Sequence, residues 1–422
     1  MHNNKEEFFN NIINSDDIND TVILPETSFG KIKHGKGDNV YYYVSCYDEN
    51  FEFFKMEMIS PMMHDKQHIE DVYNNDPELT DYLIKHYIDR PKIPWRIRRK
   101  INRGEIKLIL FHGLEGYHSV NFNYISRLLQ VDKKHIVYIP GDYRYITPDL
   151  SDGGVTTMWC NYWERNCAYI AGNSRDMFKK QISSYQDNKK RQYLNTFYNR
   201  RIRDHRINIM SVMNKEKLLD KMIWSWGGLV DNNKDIIEMF SDPSYVEHCF
   251  VRLTGDEYRE SIYEVLKWGN LQNGKPAVED LQINLVNTMN EEHILNTYYQ
   301  LICETWATNR SLFLSEKSFK PFALGQPFLS WSDCGTVNAL RELGYDVFDD
   351  IFDHSYDNTK DDKRRLLSLR DQVKAINKKG IDKFSKITKS TNFINRILKN
   401  NENLKNSYSR NGIDFKYLES RT

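Results

Sequence analysis

Residues 298–357 read YYQLICETWATNRSLFLSEKSFKPFALGQPFLSWSDCGTVNALRELGYDVFDDIFDHSYD, and their pattern decides the fold class. The stretch opens on an apolar run of strand length, 298–305. Ser315 then precedes a helical stretch, Glu316–Leu324, where a serine hydroxyl can accept from the free N–H groups of the first turn. A second short apolar run follows at 327–331, and a second helix at 337–343 stops at Gly344, a residue suited to a helix C-cap. Strands alternating with helices predict a parallel α/β sheet.

The same rhythm recurs upstream. Residues 106–112 (IKLILFH) form a compact apolar run ending at Gly113, the pattern of a strand buried on both faces. A helix-like stretch at 120–129 and a second run at 135–140 (HIVYIP) complete a Rossmann-like unit. A second unit begins near 191, with a strand at 193–198 (YLNTFY), a helix at 204–219 and a further strand at 281–287 (LQINLVN). Beyond it, 361–398 is Lys-rich with Leu366, Val373, Ile376, Phe384 and Ile387 at helical spacing, which predicts one or two amphipathic helices. The expected architecture is α/β, two Rossmann-like domains facing a cleft, with boundaries at 1–190, 191–358 and 359–422. The last segment is expected to cross back to the first domain.

The 422 residues carry 59 basic and 59 acidic side chains, with 40% hydrophobic and 13% aromatic residues. Neutrality excludes a polybasic nucleic-acid coat and an acidic tail protein, and the apolar content excludes a disordered chain. No uncharged apolar run approaches the roughly 20 residues of a membrane helix, and residues 1–20 lack the basic start and apolar core of a secretory signal. The six cysteines are scattered without a Cys-x-x-Cys pair, so neither a disulfide framework nor a zinc site is expected, and the location is expected to be cytoplasmic. The neutrality is a cancellation: residues 1–89 hold 7 basic and 18 acidic groups, and 360–422 hold 17 and 7. Residues 90–107, with eight basic groups, one acid, Pro91, Pro94 and Gly104, have the composition of a connector.

The ordered series Glu304-Thr305, Ser315-Glu316-Lys317, Lys320-Pro321, Pro327-Phe328, Leu340-Arg341, Leu343-Gly344-Tyr345 and Asp353-His354-Ser355-Tyr356-Asp357 resembles the donor-binding half of a family of GT-B-type glycosyltransferases. That family occurs in phages and bacteria and is distantly similar to the α-1,3-fucosyltransferases. Residues 194–206 (LNTFYNRRIRDHR) are similar to the segment opening the second domain of the same family, with Asn199, Arg200, Arg203, His205 and Arg206 in register. The resemblance covers 191–357. It implies a hexosyl- or pentosyltransferase that takes a nucleotide sugar as co-substrate and requires no metal or other cofactor. It also implies that Glu316 and Lys317 contact ribose and phosphate, with Lys320, Asn199 and the arginines at the same donor site.

The residues support this chemistry in their own right. A nucleoside-diphosphate leaving group needs its charge stabilised by a metal, or by cations and a helix N-terminus. No Asp-x-Asp motif adjoins a strand of the middle domain, which favours cations. Lys317 falls in the first turn of a helix that Ser315 would cap, and the Glu316 carboxylate suits two ribose hydroxyls. Arg200, Arg203 and Arg206 are spaced by three and, if helical, share a face. An isolated arginine cluster of this kind is otherwise a solvated surface. Asp353 and Asp357 are expected to close a turn or contact the first domain.

An inverting transfer also needs a base beside the acceptor hydroxyl. Glu115, between the glycines of 112–118 (HGLEGYH), is the first choice and Asp142 in 139–143 (IPGDY) the second; a retaining enzyme would need neither. Residues 113–116 also resemble the corresponding loop of a T-even phage DNA α-glucosyltransferase. The aromatic clusters at 159–169 and 223–226 suit either stacking on a ligand or the core. The basic stretches 90–107 and 360–421 are compatible with DNA carrying a hydroxymethylated base as acceptor, or with a glycan. The competing reading is a non-catalytic nucleic-acid- or glycan-binding module on a degenerate fold of the same kind.

Overall fold

A computed structural model of the chain describes the strands β1 (Thr21–Val22), β2 (Gly30–Lys33) and β3 (Val40–Ser45), most of 95–410, and residues 413–414. Residues 113–121, 146–153, 228–238 and 277–289 are the longest stretches of that body outside the described set. The fold is mixed α/β with two largely parallel sheets. It divides into two compact units, 1–162 with 409–422, and 163–408. Among the described residues, no helix is long and apolar enough to cross a membrane.

The first unit is built on the sheet β2-β3-β4-β5-β6, where β4 is Leu108–His112, β5 is Ile136–Pro140 and β6 is Thr156–Thr157. All neighbours run parallel except β2 and β3. The expected strands at 106–112 and 135–140 are therefore present, slightly shortened, with Leu108, Ile109 and Leu110 buried as a central parallel strand requires. The chain end returns to this unit through β13 (Ile413–Asp414), which pairs with β1.

Residues 90–107 are not merely a connector, since 95–102 form the helix α1 (Trp95–Asn102). Arginine and lysine are good helix formers, and Ile101, wholly buried, anchors one face. The glycine that suggested a loop is the helix stop. Gly104, at φ 74°, donates to Ile101 O at 2.8 Å while Glu105 donates to Lys100 O at 3.0 Å, the paired bonds of a Schellman cap. The expected helix at 120–129 is α2 (Phe122–Leu129).

The second unit holds the sheet β10-β9-β8-β7-β11-β12. Its parallel core is β8 (Met222–Trp226), β7 (Tyr193–Asn199), β11 (Thr297–Cys303) and β12 (Phe328–Trp331). The hairpin β9 (Leu271–Gln272) and β10 (Lys275–Pro276) adds antiparallel at the β8 edge. The aromatic cluster at 223–226 is thus a fully buried strand belonging to the core. The strand expected at 281–287 lies outside the described residues.

Both expected boundaries move. The helices α3 (Tyr162–Asn173) and α4 (Arg175–Gln186) fall before 191, yet from Trp163 they belong to the second unit. Tyr185 donates to Gly325 O at 3.1 Å, Tyr345 donates to Glu164, and Lys180 pairs with Glu291 at 2.7 Å. Arg191 is buried behind α4, its guanidinium 4.2 Å from the Tyr185 ring and bonded to Ser184 Oγ and to the carbonyls of Ile294 and Thr297. Nor is 359–422 a single segment: residues up to 408 belong to the second unit, and only 409–422 return to the first. The helices after α5 (Asp204–Lys215), α6 (Arg259–Leu266), α7 (Glu316–Leu324) and α8 (Thr336–Glu342) are α9 (Asp362–Thr388), broken at Gly380, and α10 (Thr391–Arg410). Their Leu366, Val373, Ile376, Phe384, Phe393 and Ile397 lie in the same hydrophobic core as the strands. Burying that apolar stripe decides where the helices pack, and only the residues after 408 join the first unit.

Candidate functional site

In the second unit the chain leaves β7, forms α5 and returns as β8 on one side, whereas β11 pairs on the other side of β7. Connections therefore diverge between the carboxyl ends of β7 and β11, and an open parallel sheet accepts ligands at such a switch point. The segments singled out in the sequence, 199–206 and 304–320, follow those two strand ends.

Glu304 is the first residue after β11 and is wholly buried. Its Oε2 accepts from Thr305 N at 2.9 Å and from the Ser315 hydroxyl at 2.5 Å; its Oε1 accepts from Ser315 N at 3.3 Å and the Ser318 hydroxyl at 2.6 Å. A buried carboxylate needs such a set of donors, and here the set fixes the start of α7. Ser315 Oγ in turn accepts from Lys317 N at 3.2 Å, the expected N-cap. In the sequence Glu304 stands out only as part of the ordered series. An acid placed directly after a fully buried strand was the available signal of a structural carboxylate.

On the first turn of α7, Lys317 Nζ lies 2.8 Å from Glu316 Oε1 and 3.4 Å from both Thr305 Oγ1 and Ser315 Oγ. Burial by itself would raise the Glu316 carboxyl, but Lys317 and Lys320 outweigh it and hold the group down at about 2. Burial pushes the Lys320 ammonium below its ordinary value, against the opposing pull of Glu316. Lys317 is partly exposed, so a cation, a helix N-terminus and an ionised carboxylate stand together at the strand ends.

The β7 segment reaches the same place in a different way from the one expected. Arg203 and Arg206 do not share a helical face, because Arg203 is the extended N-cap residue of α5, at φ −148°. Arg203 Nη1 donates to Thr305 O at 2.9 Å and its guanidinium lies 5.3 Å from the Trp306 ring. His205 lies with Nε2 2.9 Å from Glu304 O, and because a carbonyl only accepts, that nitrogen carries the proton. Burial first, then Arg206, holds His205 well below its ordinary value, so the ring is neutral. Arg206 is buried against the Cys303 thiol, which burial pushes up to about 12 despite the opposing Arg206 and Lys317 charges.

Beneath them, continuing the register of β7 with β8 and β11 places Trp226, Asn199 and Cys303 in one row facing the start of α5. Among the described residues, neither amide atom of Asn199 and not the indole N–H of Trp226 has a hydrogen-bond partner, although both residues are wholly buried. Unmatched polar groups of this kind cost about 1–3 kcal/mol each, which favours an arriving group able to bond them.

Arg200 and Glu115 lie outside the described residues. Asp142, after β5 in the first unit, is wholly buried, accepts from Arg144 N at 3.0 Å and from Arg144 Nε at 3.0 Å, and is ion-paired with Arg144. Asp353 accepts from Ser355 N at 2.9 Å within a turn, whereas Asp357 caps α8 by accepting from Val337 N at 3.1 Å and Asn338 N at 3.0 Å. Among the described residues, no three His, Cys, Asp or Glu side chains gather so as to hold a metal ion.

No protein-family model and no curated protein sequence matches the chain. Among solved structures, a glycosyltransferase from Rickettsia africae ESF-5 is similar over 85% of this chain and 90% of its own, at 11% identity and a TM-score of 0.28. A likeness of that size carries no argument about the chemistry.

Proposed function

We propose that the chain is a glycosyltransferase of GT-B-like arrangement, in which the second unit binds the nucleoside-diphosphate part of a sugar donor. One observation carries this reading: Arg203, His205 and Arg206 meet residues 303–305 at the end of β11, and Glu304 and Thr305 in turn contact Ser315 and Lys317 at the start of α7, at a sheet switch point. Lys317 and the N–H groups of α7 bind a phosphate, and Glu316 accepts from the ribose hydroxyls. The arginines, Arg200 among them, neutralise charge as the diphosphate leaves, so transfer proceeds without a metal. Glu304 and Ser315 hold the helix start in place. The general base is Glu115, since the carboxylate of Asp142 is committed to Arg144. The acceptor is a hydroxyl of a glycan or of a modified DNA base.

The test is a panel of nucleotide sugars screened by thermal shift, followed by mass spectrometry on glycan and DNA acceptors. A matching donor raises the melting temperature, and Lys317→Ala weakens its binding about tenfold or more, the worth of one charged hydrogen bond, with the fold intact. Absence of any shift with every nucleoside diphosphate refutes the enzyme reading and favours a binding module.

A further inference from the structure

The second site of interest lies in the first unit and is independent of the donor site. Helix α1 presents Trp95 with 59% of its surface exposed, although its other described apolar side chain, Ile101, is buried. Arg96 lies 5.7 Å from the Trp95 ring. Beside the indole, Arg98, Arg99 and Arg103 line a shallow, open groove of about 390 Å³ with Asn102 and Gln130.

The groove is built rather than incidental. Arg98 donates to the Gln130 side chain, Asn102 Nδ2 donates to Gln130 O at 3.0 Å, and Asp132 N donates back to Asn102 Oδ1 at 2.9 Å. Gln130 sits at φ 55° to make these contacts, a conformation that costs a non-glycine residue energy. Arg103 has one carboxylate nearby, Glu105 at 3.6 Å. Among the described residues, Arg96, Arg99 and Lys100 have none. The surface is therefore a fork of fixed and free guanidiniums around one exposed aromatic plate.

We propose that this face binds a single-stranded polynucleotide, with backbone phosphates on Arg98, Arg99 and Arg103 and one base stacked on Trp95. Guanidiniums match phosphate oxygens two at a time, and an unpaired base offers the flat face an indole takes. An anionic membrane fits less well. Among the described residues of this unit Trp95 is the sole exposed large apolar side chain, whereas a helix lying in a bilayer interface needs a broad apolar face.

The experiment uses the full chain and a fluorescent oligothymidylate, read by anisotropy from low to moderate salt, with anionic phosphatidylserine vesicles in parallel. Saturable binding that weakens with salt is expected. Trp95→Ala should lower affinity about tenfold, within the range for loss of one stacked base. Arg99→Gln with Arg103→Gln should lower affinity and flatten the salt slope by about one unit per lost phosphate contact. These side chains lie on the surface, so unchanged thermal unfolding checks each variant. No binding at low salt overturns the proposal, as does oligonucleotide binding that all three substitutions leave intact. Vesicle binding that depends on Trp95 without oligonucleotide binding assigns the face to membranes instead.

Discussion

Replacing Glu304 by glutamine tests the centre of the site without changing its shape. The carboxylate oxygens divide four donors between them, Thr305 N and Ser315 Oγ on Oε2, Ser315 N and Ser318 Oγ on Oε1. The serine hydroxyls can turn and accept from a new amide, but a backbone N–H cannot. In either orientation glutamine therefore leaves one buried N–H facing an NH2 group, at about 1–3 kcal/mol. The milder orientation sets the NH2 toward Ser315 N, whose bond is the longest at 3.3 Å. The two bonds that survive fall from charged to neutral strength, roughly 1 kcal/mol each. The total is about 3–5 kcal/mol, or a drop near 10 °C in a domain of this size. Because Ser315 also caps α7, nucleoside-diphosphate affinity should fall together with stability. Thermal unfolding with and without nucleotide measures both. A melting point within about 2 °C of wild type would refute the claim that Glu304 organises the site.

Two titrations follow from the same structure. Glu316, held at about 2 against an ordinary 4.5, contributes stability that is present above pH 4.5 and lost as pH falls toward 2, about 3 kcal/mol in all. Lys317→Met removes most of that depression, so urea unfolding should show the gap between wild type and variant narrowing by about 2 kcal/mol from pH 5 to pH 3; a constant gap contradicts the pairing. His354 donates from Nε2 to Val347 O at 3.0 Å and accepts from the Tyr356 hydroxyl at 3.2 Å, and burial brings it from 6.5 down to about 4. Its neutral form is the folded one, so its contribution is complete above pH 6.5 and lost as pH falls through that window. His354→Gln should flatten the stability profile between pH 7.5 and 4.5 by about 2–3 kcal/mol, and parallel profiles would exclude the network.

The elements legible in the sequence are those whose limits are set locally. Helix α7 runs from 316 to 324 as expected because Ser315 caps it and Gly325, at φ 70°, ends it. A Cβ at Gly325 would stand 2.9 Å from the Phe178 ring, so the residue that stops the helix also admits α4. Helix α1 was obscured because proline, glycine and charge describe its flanks, while one buried isoleucine and a glycine cap make it a helix. The boundary at 190 failed for a nonlocal reason: α3 and α4 bury their apolar faces on residues more than a hundred positions later. The arginine spacing of three suits a helical face only if the segment is helical, and Arg203 is extended at the N-cap of α5, where it donates to Thr305 O.

The site shows the same division. Each chemistry-bearing segment follows a parallel strand, and a strand can be recognised from its apolar run, so the sequence shows which residues reach the carboxyl edge. It does not show that β11 pairs beside β7, and that pairing sets His205 on Glu304 O and Arg203 on Thr305 O. Asn199 makes the point most sharply. Its neighbours in sequence indicate only the end of a strand, whereas its buried, unmatched amide beside Trp226 follows from the order of four strands. Asn199→Leu would remove that mismatch. A more stable apoprotein with weaker nucleotide binding would therefore separate a group kept for a ligand from one kept for the fold.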